Sequence, residues 1–269
     1  MQTIPAFTKS RHLGGQGQRS AFFLIAAVVS PLLMLVGMLV AAAGLDPVTW
    51  ERVVHSEQGV LEWLTVLLLL PTVWLAGRTA VIARAWPTAT RIWFAVFALG
   101  CIYFAGEEAS WGQHALGFTP PASIAEGNLQ GEFNFHNTKG WLHDILNEIP
   151  RFLATGFCLV ICGIIPLTRM IQRRRSDGPD AAAGGGFFPG PATCVAGLLA
   201  AGVGYIESPL DGTVWDQPGK LLHYFLLEAN DELKESLIAL TFFLYAFDRL
   251  RAAQSTAITN QPISSNGIE

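Results

Sequence analysis

Six long apolar runs divide this sequence, and they constrain its fold more than any other feature. They cover residues 21–44, 60–76, 92–106, 152–168, 192–206 and 237–247, and charged or turn-forming residues bound each of them. Because 51% of the residues are hydrophobic and only 14% are charged, the chain is too apolar for an ordinary soluble domain. A helix of roughly 20 apolar residues crosses a bilayer, so the sequence predicts an all-α, polytopic bundle of about six transmembrane helices embedded in lipid.

The distribution of charge predicts how this bundle is oriented. If the six runs cross the membrane in turn, twelve of the seventeen Lys and Arg residues fall on one side. Cytoplasmic loops carry an excess of basic residues, so this side, which also holds both termini, is predicted to be cytoplasmic. Seventeen of the 21 Asp and Glu residues then lie in the opposite loops or the outer membrane halves. We therefore expect an acidic site at the extracytoplasmic face.

Composition excludes one class of partner and suggests how the rest of the chain is organised. A net charge of −4 gives no basis for nucleic-acid binding. The four cysteines lie in apolar runs without metal-ligand spacing, so they are predicted to be buried thiols. We expect a cytoplasmic N-terminal segment (1–20), a membrane domain (21–251) with an outer loop (111–148) and a cytoplasmic linker (176–191), and a disordered cytoplasmic tail (252–269).

Carboxylates adjoin the outer ends of several spans. The third span runs directly into Glu107-Glu108-Ala109-Ser110-Trp111-Gly112-Gln113-His114, and Glu62 lies at the start of the second. The sixth span must begin within a stretch that holds Glu228, Asp231, Glu232 and Glu235. An ionisable side chain costs about 2.5 to 3.5 kcal/mol at the bilayer centre and usually faces a cavity or partner. These acids therefore predict a shared polar cavity, with interfacial acids pointing to water as the alternative.

The segment 128–137 in the outer loop alternates polar residues with small or apolar ones. This period of two is typical of an extended strand, so its polar side chains are predicted to project from one side. Phe133 and Phe135 would then anchor the segment in apolar protein, while the amides, the acid and the imidazole face the cavity. The alternative is an ordinary loop whose polar edge contacts bulk water.

Carboxylates and imidazoles in this arrangement favour a metal-dependent hydrolase or transferase that acts on a lipid-linked substrate. A divalent metal, Zn²⁺ or a similar ion, would be the cofactor. The predicted metal ligands are Glu107, His114, His136 and Glu232, and the predicted catalytic residues are Glu108, Glu235 and Ser110. The remaining polar residues would form a platform for the substrate: Glu62, Gln113, Asn128, Gln130, Glu132, Asn134, His223 and Glu228.

Two other functions fit the same pattern. In a non-catalytic subunit or assembly factor, the motifs would form a surface that contacts other membrane subunits. In an ion or proton-coupled transporter, acids and histidines would relay ions across the bilayer. The inner membrane halves contain few polar residues to complete such a path, which disfavours the transporter.

The motifs at 107–113 and 128–137 resemble those of an uncharacterised group of bacterial polytopic membrane proteins. That group has Glu-Glu-x-Ser-Trp-Gly-Gln followed by Asn-x-Gln-x-Glu-x-Asn-x-His-Asn. The resemblance implies the same architecture and a place in the bacterial cytoplasmic membrane, without an activity. A weaker chemical analogy links Ser110, His114, His136 and His223 to the alkaline ceramidase superfamily, although a late His-x-x-x-His and a seventh span are missing.

Overall fold

Six long helices account for most of the structure, a computed structural model that describes residues 11–50, 53–54, 59–173, 186–210 and 230–259. No β-strand occurs within these ranges, so the predicted all-α fold is confirmed. The fourth helix combines several helical segments and includes π-helical turns at Asp144–Glu148 and Phe157–Ile164. The helices are α1 (Arg11–Gly44), α2 (Val60–Ile82), α3 (Thr88–Glu108), α4 (141–173), α5 (Cys194–Leu210) and α6 (Asn230–Thr259).

Four of these helices are long and apolar enough to cross a membrane, at Phe23–Ala41, Val60–Ile82, Thr88–Glu108 and Trp141–Gln172. Helix α5 contributes a shorter apolar stretch, Pro191–Val203. Helix α6 is long, but acidic residues occupy its first turn. All six helices lie where the apolar runs predicted them. Among the described residues, however, four helices rather than six are long and apolar enough to cross a membrane.

The candidate spans leave large apolar side chains on the surface of the bundle. Leu33, Leu67, Leu99 and Phe152 are 64%, 64%, 65% and 78% exposed. Contiguous exposed apolar surface on this scale is rare in soluble monomers and is typical of surfaces that contact lipid or other proteins.

The core of the bundle forms where α2 packs against both α3 and α6. Tyr245 of α6 is fully buried among aromatic rings of α3 and α4. Its hydroxyl accepts a hydrogen bond from Trp93 Nε1 and donates one to the carbonyl of Phe187, each at 3.0 Å. This satisfied polar group fixes the register of α6 against α3 at the end of the bundle opposite the acidic residues.

Small residues allow α4 and α5 to approach closely. A Cβ atom at Gly197 would lie 2.6 Å from the Cys158 carbonyl oxygen and 3.0 Å from Cys162. The Thr193 hydroxyl donates to the Cys162 carbonyl at 3.0 Å across the same interface. The four cysteines are buried free thiols, as predicted. Contacts of this kind, small residues with a hydroxyl between helices, stabilise helix pairs in an apolar solvent.

Gly197→Ala tests this close approach. The new methyl group has no room beside the α4 backbone, so we expect a loss of about 1 to 3 kcal/mol in the free energy of unfolding. Gly202→Ala in the same helix is the matched control, because a Cβ there meets nothing within 4 Å. Thermal unfolding in detergent, followed by tryptophan fluorescence, should show a lower midpoint for Gly197→Ala alone. Equal midpoints for the two variants would contradict the interface.

Candidate functional site

A sharp turn follows the two carboxylates that end α3. Ser110 and Trp111 adopt positive φ angles of 43° and 49°, which cost roughly 1 to 2 kcal/mol per residue outside glycine. Gly112 continues the turn at φ 83°. The Trp111 ring folds back over Gly106, where a Cβ would lie only 2.9 Å from the indole. The turn therefore explains why the motif contains glycine on both sides of Ser110 and Trp111.

Glu107 holds the outer loop onto the end of α3. Its Oε2 accepts backbone N–H groups of Phe135 and His136, each at 2.7 Å, and its Oε1 accepts Trp111 Nε1 at 2.6 Å. The residue is only 3% exposed. Hydrogen bonds to a charged acceptor contribute about 1.5 to 3 kcal/mol each, enough to offset the strain of the turn. Both carboxylate oxygens are thus engaged by the chain itself.

Glu132 is the second acceptor in this network. Its Oε2 accepts the Ser110 hydroxyl at 2.6 Å and Asn134 Nδ2 at 3.1 Å, and its Oε1 lies 2.7 Å from His114 Nε2. A carboxylate only accepts hydrogen bonds, so the imidazole donates through Nε2 in this pair. The contacts join the turn after α3 to the outer loop.

Two buried amides organise the loop from inside. Asn128 Nδ2 donates to both the backbone and the side-chain carbonyl of Asn134, at 2.9 and 2.7 Å. The Asn128 side-chain carbonyl accepts the N–H groups of Gln130 and Glu132. The Gln113 side chain accepts the N–H of Phe133 at 2.6 Å. Asn137 Nδ2 also donates to the Gln130 side-chain carbonyl.

The predicted strand in this segment is wrong, and its predicted burial holds for the polar side chains but not for Phe135. Within the described residues the segment is an irregular loop with one isolated antiparallel bridge between Asn128 and Thr138. Asn134 and Glu132 are 1% and 7% exposed, whereas Phe135 is 37% exposed. Polar and apolar residues do alternate along the segment. The polar side chains turn inward because their hydrogen-bond partners lie inside the loop. Phe135 lies on the outer side, whereas Phe133 is half-buried and packs against Phe118.

The predicted metal ligands therefore do not meet at one point. His114 contacts Glu132, and His136 Nδ1 lies 3.4 Å from Glu107 Oε2 without a hydrogen-bond partner within the described residues, so the two histidines lie beside different acids. Glu107 and Ser110 direct their oxygens into the loop network rather than toward Glu232. The arrangement assigns these four motif residues a role in holding the loop. His223 and Glu228 lie outside the described residues.

A different set of acids does converge. Ligand oxygens of Glu108, Glu232 and Glu235 all lie within 4.8 Å of one another, which is a spacing that can hold a metal ion. Glu108 ends α3, and the other two residues occupy the first turns of α6. We call these three residues the acidic triad. The sequence placed the end of α3 beside the start of α6, and the structure confirms that placement.

Contacts between α2 and α6 position the triad. Ser236, directly after Glu235, donates to the Leu61 carbonyl at 3.1 Å and lies 2.9 Å from the Thr65 hydroxyl. Since Ser236 donates to the carbonyl, Thr65 is the donor in the second pair. Glu62, on the same turn of α2, is 8% exposed and interacts electrostatically with Glu108. A fourth carboxylate thus lies beside the triad.

Arg151 of α4 pairs with two of the acids at this end of the bundle. Its Nη2 lies 2.9 Å from Glu235 Oε1 and 3.2 Å from Asp231 Oδ1. The sequence offers Arg151 only as one of four candidate cations near the acids, with Lys139, Lys220 and Lys234, and predicts no site role for it. One feature of the sequence does single out Arg151: it is the one Lys or Arg in residues 140–168.

An apolar cavity of about 290 Å³ opens onto these charges. It lies between α3, α4 and α6 and extends along α3 from Trp93 to Glu108, roughly 20 Å of helix. Val96 and Leu153 on its wall are 55% and 63% exposed, so the cavity reaches the lateral surface of the bundle. Aromatic rings surround one end, and the other end is polar, lined by Glu107, Glu108, His136, Asn147, Arg151 and Glu235.

Comparisons of the chain with protein-family models, with curated proteins and with solved structures gave no match.

Glu132→Gln tests the loop network. Glutamine has an NH₂ group where glutamate has its second acceptor oxygen. The side chains around position 132 already donate hydrogen bonds, so this NH₂ group disrupts one of them, and we expect a loss of about 1 to 3 kcal/mol in local stability. Hydrogen exchange of peptides covering 128–138, measured by mass spectrometry, should become about 10- to 100-fold faster. Glu126→Gln is the control, because that side chain is exposed. Unchanged exchange in Glu132→Gln would show that the network does not hold the loop.

Proposed function

We propose that the chain is a polytopic protein of the bacterial cytoplasmic membrane, with both termini in the cytoplasm and the acidic triad near the extracytoplasmic face. Four helices of sufficient length and apolarity support membrane insertion. The twelve-to-five distribution of basic residues supports the orientation. In this orientation the lateral opening of the cavity faces the hydrocarbon region of the bilayer.

Reporter fusions test the orientation. A fusion after Arg251 or at Asp180 should report a cytoplasmic location, because basic residues retain these segments inside. A fusion within 121–127 should report the opposite side. An enzymatic reporter active only outside the cytoplasm, paired with one active only inside, gives a readout for every fusion. A cytoplasmic signal from 121–127 would reverse the orientation.

We propose further that the protein is a metal-dependent hydrolase or transferase that acts on a lipid-linked substrate. One observation carries this proposal: the acidic triad lies at the polar end of an apolar cavity that opens laterally. An enzyme for a water-soluble substrate does not need an apolar cavity that opens laterally. A lipid, in contrast, requires apolar and polar surface in one continuous site.

The triad suits a divalent cation. Three carboxylates close together repel one another unless a cation or shared protons compensate them. All the ligands are oxygen atoms, which favours Mg²⁺, Mn²⁺ or Ca²⁺ over the Zn²⁺ expected from a histidine-rich set. A cation bound there would polarise an ester or phosphoryl oxygen and lower the pKa of a bound water.

The chain supplies the groups for proton transfer and positioning. Glu62 is a buried carboxylate that directly follows Leu61, whose carbonyl binds Ser236 next to Glu235, and we assign it the proton of the attacking water. In hydrolysis the substrate's acyl or phosphoryl group gains the hydroxyl, the bond to the leaving oxygen breaks, and the proton returns to that oxygen. In transfer, a hydroxyl of the acceptor replaces water. Neither reaction requires an oxidant or a reductant.

Metal content tests this function. Protein purified without chelator and analysed by elemental mass spectrometry should contain about one divalent cation per chain. Glu108→Gln and Glu232→Gln should each reduce the affinity for Mn²⁺ at least about tenfold, because each removes a charged ligand. Glu148→Gln is the control, since that carboxylate is 60% exposed and lies outside the triad.

The opposite result points to a different protein class. Folded wild-type protein that is metal-free, and whose unfolding midpoint is unchanged by Mg²⁺, Mn²⁺, Ca²⁺ or Zn²⁺, would reject the metal-dependent enzyme. The non-catalytic subunit would then be favoured, with the loop network presenting its surface to a partner.

A further inference from the structure

We infer that Arg151 binds a phosphate oxygen of the substrate, and that the cavity takes an amphiphile with a single apolar chain and a phosphate ester head group. This inference rests on the proposed function and specifies its substrate. Arg151 would be a binding and positioning residue beside the acidic triad.

The hydrogen bonds of Arg151 leave a donor without an acceptor. Both of its ion pairs use Nη2, and its buried Nε has no hydrogen-bond partner within the described parts of the chain. A buried donor left unsatisfied costs about 1 to 3 kcal/mol. Because Arg151 lines the cavity with its side chain 27% exposed, and neither ion pair uses Nη1, a ligand oxygen at the polar end can accept a hydrogen bond from the guanidinium there.

The polar end offers donors from one helix and acceptors from the other two. Helix α4 contributes Asn147 and, four residues later, Arg151. Helices α3 and α6 contribute Glu108 and Glu235. A head group held here must accept hydrogen bonds from α4 and also bind a cation held by the carboxylates.

A phosphate ester meets both requirements, because it has several charged oxygens in a geometry that matches the guanidinium fork. A carboxylic ester offers fewer acceptors and no charge. The excess of carboxylates around Arg151 repels an anion in the absence of metal. Binding of the phosphate should therefore strengthen when a divalent cation occupies the triad, which makes the two sites cooperative.

The shape of the cavity limits the apolar part. A volume of about 290 Å³ spread along roughly 20 Å of α3 makes a narrow slot. Aromatic side chains at 93, 97, 157 and 242 line its far end. A single flexible chain fits such a slot. The exposed wall residues Val96 and Leu153 provide a route of entry from the side of the bundle.

Matched ligands separate the head group from the chain. The probes are dodecyl phosphate and dodecanol, which share one chain, with inorganic phosphate as the chain-free control. Binding is measured by native mass spectrometry or calorimetry on the full chain in nanodiscs, with and without Mn²⁺. We expect dodecyl phosphate to bind at least about tenfold more tightly than dodecanol when Mn²⁺ is present, because charged hydrogen bonds are added.

Arg151→Lys is the decisive variant. It keeps a positive charge beside Glu235, which preserves folding and Mn²⁺ affinity, but it removes the Nε donor and the planar fork. We expect affinity for dodecyl phosphate to fall at least about tenfold, while affinity for dodecanol stays the same. Wild-type affinity for dodecyl phosphate in this variant would overturn the inference, as would equal binding of the two probes by the unaltered protein.

A glycine pair tests the slot. Gly100 lines the cavity and a Cβ there meets nothing within 4 Å, so Gly100→Leu should fold normally and obstruct the chain. The variant should lower the affinity for both dodecyl probes and leave Mn²⁺ binding unchanged. Gly77→Leu in α2 is the control, because a Cβ there also meets nothing within 4 Å but Gly77 does not line the cavity. This variant should change neither the binding of the dodecyl probes nor the binding of Mn²⁺.

Different results would refute the metal site of the proposed function and the phosphate ligand inferred for Arg151. Protein that binds Mn²⁺ but does not discriminate between the probes refutes the phosphate ligand alone. Binding of dodecyl phosphate that depends on Arg151, in protein that binds no Mn²⁺, refutes the metal site alone. Dodecyl probes that bind Gly100→Leu as well as wild type would refute the slot.

Discussion

Mutual repulsion of carboxylates at one end of the bundle is the constraint on which the site depends. Acids from α2, α3 and α6 are brought together there, although each would be more stable in water. Backbone N–H groups, the Trp111 indole, two imidazoles and Arg151 compensate different members of this group. Arg151 pairs with Glu235 of the acidic triad, and the close approach of three carboxylates beside this one paired cation is the physical basis for proposing a bound metal ion.

The turn after α3 divides the acidic end into a structural part and a chemical part. Adjacent helical residues point about 100° apart, so Glu107 and Glu108 cannot serve the same partners. Glu107 binds the outer loop, whereas Glu108 joins α6. The strained conformations of Ser110 and Trp111 persist because Glu132 and Glu107 accept their polar groups. Glu107 and Ser110, which look catalytic in sequence, therefore bind the outer loop.

The cavity connects this charged end to the apolar surface of the bundle. Its aromatic end is fixed by Tyr245, whose two hydrogen bonds join α3, α6 and the segment before α5. Its polar end is fixed by Ser236 and Arg151, which join α6 to α2 and α4. Both ends of the slot are therefore held by polar contacts between helices. Such contacts are strong in a medium without competing water.

The sequence by itself determined the helices, the free buried cysteines and the acidic end of the bundle, because these follow from local apolar runs and charge counts. It also placed the end of α3 beside the start of α6. It did not determine which oxygens meet, since side-chain direction at a helix end depends on the turn that follows and on distant partners. Only the tertiary structure therefore separated Glu108 from Glu107, turned Asn134 inward and Phe135 outward, and brought Arg151 into the site.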